Sequence, residues 1–328
     1  MTNFFSVFSN FFKPSQPKVP PDSATEPAQI TLSKVLLIVY DPIMDPASGQ
    51  TLSQQQSWHR PTDLITSFML DMMQVSAGMA RYQIVQRVDL NEFPAKTDGF
   101  RYTPETYMNV LRGTVAPHMP QEVNYNAILT QFNILQRVAR SEIDEVWLFG
   151  FPHAGFYESV MAGPGAFWCN AQPLKGTDAS KRRFVIMGFS FERYVGEMLE
   201  AYGHRAESIM ERTYSKLSGD ANLWKRFTRY DKIAPDKAAC GDIHFAPNSQ
   251  QDYDWNNSAM VKSECYDWQW NFPNFKGDVR VVGPLEWGGE IRAHHKWWLN
   301  HFPRVAGRKN GVHNNWWQYV VAPQNVIV

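Results

Sequence analysis

Four short strand-like runs punctuate the first two thirds of the chain: Lys34–Tyr40 (KVLLIVY), Tyr82–Val88 (YQIVQRV), Glu145–Phe151 (EVWLFGF) and Arg183–Phe189 (RFVIMGF). Three of them are nearly continuous in apolar residues, the pattern of strands covered on both faces rather than half-exposed. Between and after them lie segments with helical spacing. These are Asp63–Gly78, residues 104–112, residues 124–140 with an apolar stripe at Ile128, Phe132, Leu135 and Val138, and the long Tyr194–Lys216. Strand and helix in alternation predict an α/β fold with a mostly parallel, doubly wound sheet flanked by helices. Four or five strands are too few to close a barrel.

Past residue 218 the periodicity fades. Trp, Asn, Asp and Pro crowd loops such as HFAPNSQQDYDWNNS, and only Val279–Val282 reads as a further strand. The expectation is one α/β domain over residues 30–328, with a sheet core to 218 and a loop-rich, Trp-heavy C-terminal cover from 219 to 328. Residues 14–29 form a Pro/Ser-rich stretch without period and read as a flexible linker. Ahead of it, residues 1–13 place Phe4, Phe5, Phe8, Phe11 and Phe12 at helical spacing. That amphipathic tail is either a frayed end or a segment that docks on a partner, a membrane surface or export machinery.

Charge and composition narrow the function classes. Lys plus Arg and Asp plus Glu number 32 each, without a basic stripe, which argues against nucleic acid as a partner. No apolar run reaches the length of a membrane span. The N-terminus lacks the basic start and small-residue cleavage site of a secretory signal. Cys169, Cys240 and Cys265 make neither a disulfide framework nor a zinc ribbon, although Cys240 and Cys265 could pair with each other. The chain has no phosphate loop, dinucleotide fingerprint, serine elbow or HExxH motif, so no nucleotide cofactor is expected.

Ligands of open α/β sheets bind beyond the carboxyl ends of the strands, so the residues after each strand come first. They are Asp41 and Asp45, then Asp89, then His153 with Glu158, then Glu192. Four strands thus deliver an acid or a histidine to one rim, although acids at such places also cap helices. On the long helix, His204 points away from the apolar stripe and shares that far face with Glu197, Glu200, Glu207 and Glu211. This reads as a solvated acidic face first and a ligand set second. His244, in CGDIHFAPN, and His294 and His295, in HHKWWLNHFP, complete the histidines of interest.

Eight of the twelve tryptophans fall between Trp255 and Trp317. They read either as packing for an irregular shell or as a binding surface, with Trp168, Trp255, Trp287 and Trp297 the candidate platforms. The strings DEVWLFGFPHAGFYESVMAGPGAFWCN, YGHRAESIMER, CGDIHFAPN, HHKWWLNHFP and NNWWQYV resemble a family of uncharacterised bacterial and fungal α/β proteins, many of them exported. The resemblance spans most of residues 34–323 and implies an extracytoplasmic setting. It carries no activity, cofactor or catalytic residue with it, and the missing signal peptide departs from the pattern.

Three functions follow as expectations. The first is a metal-assisted hydrolase of peptide, amide or glycan bonds. Glu158 or Glu192 would be its base, His153 and His244 ligands of zinc or another divalent ion with His204 or His295, and Asp41 an orienting carboxylate. The second is a metal-independent glycosidase using two of Asp41, Glu158, Glu192 and Glu286. The third is a non-catalytic glycan- or partner-binding cargo protein.

Overall fold

The computed structural model describes residues 22–327 and places a five-stranded sheet at the centre of the chain. Its strands are β1 (Thr31–Tyr40), β2 (Ala80–Leu90), β3 (Glu145–Gly150), β4 (Ser159–Ala162) and β5 (Phe184–Ser190). The order across the sheet is β2-β1-β3-β5-β4, with β4 antiparallel to β5 and every other pairing parallel. All six residues of β3 are buried, as its unbroken apolar run requires. Strand β2 is an edge strand and alternates instead.

Helices α1 (Pro61–Val75), α2 (Val195–Tyr214) and α3 (Ile291–Asn300) pack on one another beside the sheet. The apolar stripe over 124–140 divides into two helices, Tyr125–Gln131 and Ile134–Ala139. Asn133 between them adopts a left-handed backbone, φ 52°, which asparagine tolerates better than most residues. Among the described residues no helix is long and apolar enough to cross a membrane. The three cysteines are buried free thiols, so Cys240 and Cys265 do not pair.

The Phe-rich tail and residues 14–21 lie outside the described residues. Residues 22–29, the rest of the stretch read as a flexible linker, are fastened to the C-terminal part. Glu26 accepts Nε and Nη2 of Arg308, each at 3.0 Å, and His313 Nε2 at 2.5 Å, and Gln29 O accepts the Asn315 amide. Proline and serine marked irregular backbone there, but Glu26 carries the specific charge pairing that fixes it.

The C-terminal cover is built on aromatic packing. Trp268, Trp298 and Trp316 are at most 1% exposed and meet Trp224, Phe227 and Phe302 at ring separations of 4.8–6.2 Å. Large flat rings fill a shell that short helices and loops could not close with aliphatic side chains alone. Neighbouring tryptophans both find burial because Trp316 precedes a helix and Trp317 starts it, with Phe302 between their rings.

Candidate functional site: three histidines around a buried carboxylate

Helix α2 springs from the end of β5 and carries Glu200 and His204 at i and i+4, which places them on one face. That face is not the solvated one expected from the helical wheel. Glu200 is 6% exposed, and His204 and Glu207 are half-buried. The reason is Gly203. A Cβ there would stand 2.3 Å from Ile243 Cδ1, so only glycine lets the loop at 240–258 press onto the helix. The wheel sees one apolar stripe on α2, whereas the cover buries most of its circumference.

That loop is shaped by its own polar residues. Gly241 has φ +72°, and a Cβ on it would lie 1.9 Å from Phe245 O. Asp242 Oδ1 accepts the backbone N–H groups of His244 and Phe245, both at 2.9 Å, which turns the chain so that His244 faces α2. Trp298 Nε1 on α3 donates to Gly241 O at 2.9 Å and pins the loop from the far side. Helix α3 itself is capped by Glu290, whose side chain accepts the N–H groups of Arg292 and Ala293 and so fixes the register of His294 and His295.

The three elements converge on the Glu200 carboxylate. His244 Nε2 donates to Oε1 at 3.1 Å, and Tyr253 Oη donates to the same oxygen at 2.7 Å. His204 Nε2 lies 3.9 Å from Oε1, and His295 Nε2 lies 4.0 Å from Oε2, beyond hydrogen-bond length. Each of the first two rings is oriented from behind by a second carboxylate. His244 Nδ1 meets Asp252 Oδ1 at 3.2 Å, and His204 Nδ1 meets Glu207 Oε2 at 3.1 Å. Carboxylates behind imidazoles set the ring orientation and turn Nε2 toward the site, the arrangement that supports metal-ligating histidines.

The ligand atoms of Glu200, His204 and His244 lie within 4.8 Å of one another, and this group could hold a metal ion. Tetrahedral ligands about 2.0–2.1 Å from zinc stand roughly 3.4 Å apart, inside the range seen here. His295 supports the fit. It is wholly buried, and its Nε2 has no hydrogen-bond partner among the described residues, although it faces the cluster. A buried polar atom without a partner is costly and calls for one.

Charge is concentrated at this place. Burial opposes a positive His244, but the hydrogen bond and charge of Glu200, with Asp252 and Glu207 beyond, hold its pKa up at about 9. Burial works in the other direction on Glu200, yet hydrogen bonds from His244 and Tyr253, with the nearby His295 ring, hold it well below the usual carboxylate range. Burial, then the Glu207 charge, pushes Asp242 up to about 7. His294 and His295 are pushed down, by burial first; the neighbouring ring charges act the same way. In place of protons on His204 and His244, a divalent cation would satisfy the same carboxylates.

Glu158 links this cluster to a cavity. Its Oε2 lies 3.8 Å from His204 Nε2 and accepts the Asn170 amide at 2.7 Å. It also lines a cavity of about 420 Å³ at the carboxyl ends of β3 and β5, together with His153, Glu192, Phe151 and Phe156. Gly188 makes room for this corner: a Cβ on it would lie 2.3 Å from Tyr157 O. Lys96 holds the cavity loop, donating to the carbonyls of Gln121, His153 and Ala154 at 2.7, 2.6 and 3.0 Å.

The sequence candidates therefore separate. Glu158, His204, His244 and His295 meet around Glu200. His153 and Glu192 line the adjoining cavity without joining the cluster. Asp41 is committed elsewhere, since its two oxygens accept Ser53 N and Oγ at 2.9 and 2.6 Å. Glu286 accepts the hydroxyl of Tyr266. Among the tryptophans, Trp168 is 54% exposed, Trp297 is half-buried, and Trp255 and Trp287 are buried. Trp255 stacks on His294 with ring centroids 5.2 Å apart, and Trp287 Nε1 donates to Trp255 O, so neither offers a free face to a sugar. Asp252 and Tyr253 were not singled out from the sequence, because a polar loop offers no period to read. No family model, curated protein or solved structure matches this chain.

Proposed function

We propose that this protein is a metal-dependent hydrolase, with its ion held by Glu200, His204 and His244. The observation that carries the reading is that two imidazole Nε2 atoms face one buried carboxylate while each Nδ1 is held by another carboxylate. Two nitrogens and one oxygen with an open position suit zinc or a similar borderline ion better than magnesium or calcium. Such an ion would supply Lewis acidity to a water or carbonyl oxygen. Glu158 takes the proton of the attacking water. It stands at the junction of cluster and cavity, and only its Oε2 is engaged by Asn170. A base in that position contributes about 10²–10⁴-fold.

Replacing Glu158 by glutamine keeps the hydrogen-bonding shape and removes the base. The Glu158→Gln protein is expected to bind zinc as the parent does and to lose at least about 100-fold in turnover on a panel of amide, ester and glycoside substrates. Unchanged turnover would remove Glu158 from the role. A zinc-loaded parent inactive on the whole panel would reject hydrolysis.

A further inference from the structure

Tyr253 is held in an unusual way. Its backbone is left-handed, φ 59°, a conformation that bulky residues rarely adopt. The residue is 49% exposed, yet its hydroxyl reaches inward to Glu200 Oε1 at 2.7 Å and His244 Nε2 at 3.2 Å. The surrounding loop enforces this pose. Asp252 on one side is bound to His244 Nδ1, and Asp254 on the other accepts Gln250 N and the Asn257 amide. The ring packs against His244 at 4.5 Å and edge-on to Trp255 at 5.2 Å. Strain maintained by several independent contacts is characteristic of residues that do work at a site.

The hydroxyl also occupies a telling position. Glu200 Oε1 and His244 Nε2 are two of the three groups offered to a cation. Once they are engaged by an ion, the phenolic proton loses its acceptor and faces the oxygen of whatever lies beside them. We propose that Tyr253 is the oxyanion donor of this centre, and that the substrate is an acyl compound, an amide or ester. The inference rests on the hydrolase reading above.

Water adds to the carbonyl carbon, its proton passing to Glu158 as the new C–O bond forms and the π pair moves onto oxygen. The O–H of Tyr253 donates to that oxyanion. When the carbonyl re-forms, the C–N or C–O bond breaks and the leaving group receives the proton from Glu158. Glycoside cleavage instead develops positive charge on the sugar ring, which a phenolic donor at this place would not stabilise. The cavity beside Glu158, walled by Phe151, Phe156, Phe189 and Met198, can receive an apolar group of the acyl substrate.

The test uses the full zinc-loaded chain, a panel of peptide amides, esters and aryl glycosides, and a peptide phosphinate that carries a tetrahedral oxyanion. The parent is expected to cleave amides or esters. The Tyr253→Phe variant should keep its zinc and its KM while kcat and phosphinate affinity fall about 100-fold or more. Phosphinate binding should also perturb the tyrosine near-ultraviolet spectrum of the parent but leave that of the variant unchanged. Equal kcat and phosphinate affinity in the two proteins would overturn the assignment. Glycoside cleavage without acyl cleavage would overturn it while leaving the metal hydrolase in place. A parent that binds no zinc would remove both.

Discussion

On the proposed metal-hydrolase function, the Glu200→Gln variant is expected to lose more than about 100-fold in divalent-ion affinity and hydrolysis with it, while the chain stays folded. Outer partners of ligating residues are worth about 10–100-fold in affinity, so a direct carboxylate ligand exceeds that range. The effect is large because Glu200 is the one group that His204, His244, His295 and Tyr253 all face. Glutamine keeps the size of the side chain and one acceptor oxygen but removes the charge that offsets His244. Competition with a chromophoric chelator measures the affinity, and circular dichroism reports the fold. Asp252→Asn and Glu207→Gln, which alter only the carboxylates behind the imidazoles, should fall within the 10–100-fold range. Parent-like affinity in Glu200→Gln would move the ion elsewhere.

The second large effect is on stability and lies away from the site. Glu145 opens β3 wholly buried and meets Arg205 of α2 in a two-pronged pair, Nη1 to Oε1 at 3.1 Å and Nη2 to Oε2 at 2.9 Å. Trp147 Nε1 also donates to Glu145, and Arg205 reaches the carbonyls of Val320 and Val321 in the helix Trp317–Val321. One ion pair thus ties the central strand, the site-bearing helix and the C-terminal segment together. Glu145→Gln leaves a guanidinium buried without its counter-charge, and breaking a buried pair in this way costs about 3–5 kcal/mol. Urea denaturation of the variant and parent should show that loss. Replacing both residues together, Glu145→Leu with Arg205→Met, should cost less than the single change, since no charge is then stranded. A cost for Glu145→Gln within about 0.5 kcal/mol of zero would show that the pair does not brace the fold.

These two regions were unequally visible in the sequence. The strands could be read because burial on both faces demands continuous apolar runs, and KVLLIVY and EVWLFGF have them. The rim rule led to Glu158, Glu192 and His153, since strand ends are fixed once the strands are known. It also led to Asp41, which sits at the expected place but serves Ser53 at the start of the next helix. Glu200 was visible on the right face of the right helix and was assigned to water, because a helical wheel cannot include a loop that arrives from forty residues away. The clue was Gly203, which makes the space for Ile243. Tyr253 and Asp252 depend on side-chain hydrogen bonds within an aperiodic loop, where residue order alone gives no direction to a side chain. Trp255 and Trp287 looked available to a ligand because aromatic packing against His294 and within the cover leaves no periodic trace.

The central claim is that Glu200, His204 and His244 form one metal centre, and metal stoichiometry tests it most directly. The full chain is dialysed against zinc, then against metal-free buffer, and its metal content is measured by mass spectrometry alongside His204→Gln and His244→Gln. The account predicts about one ion per chain in the parent, as one ligand cluster allows, and little or none in either variant. No retained zinc in a folded parent, or equal retention in all three proteins, would contradict it.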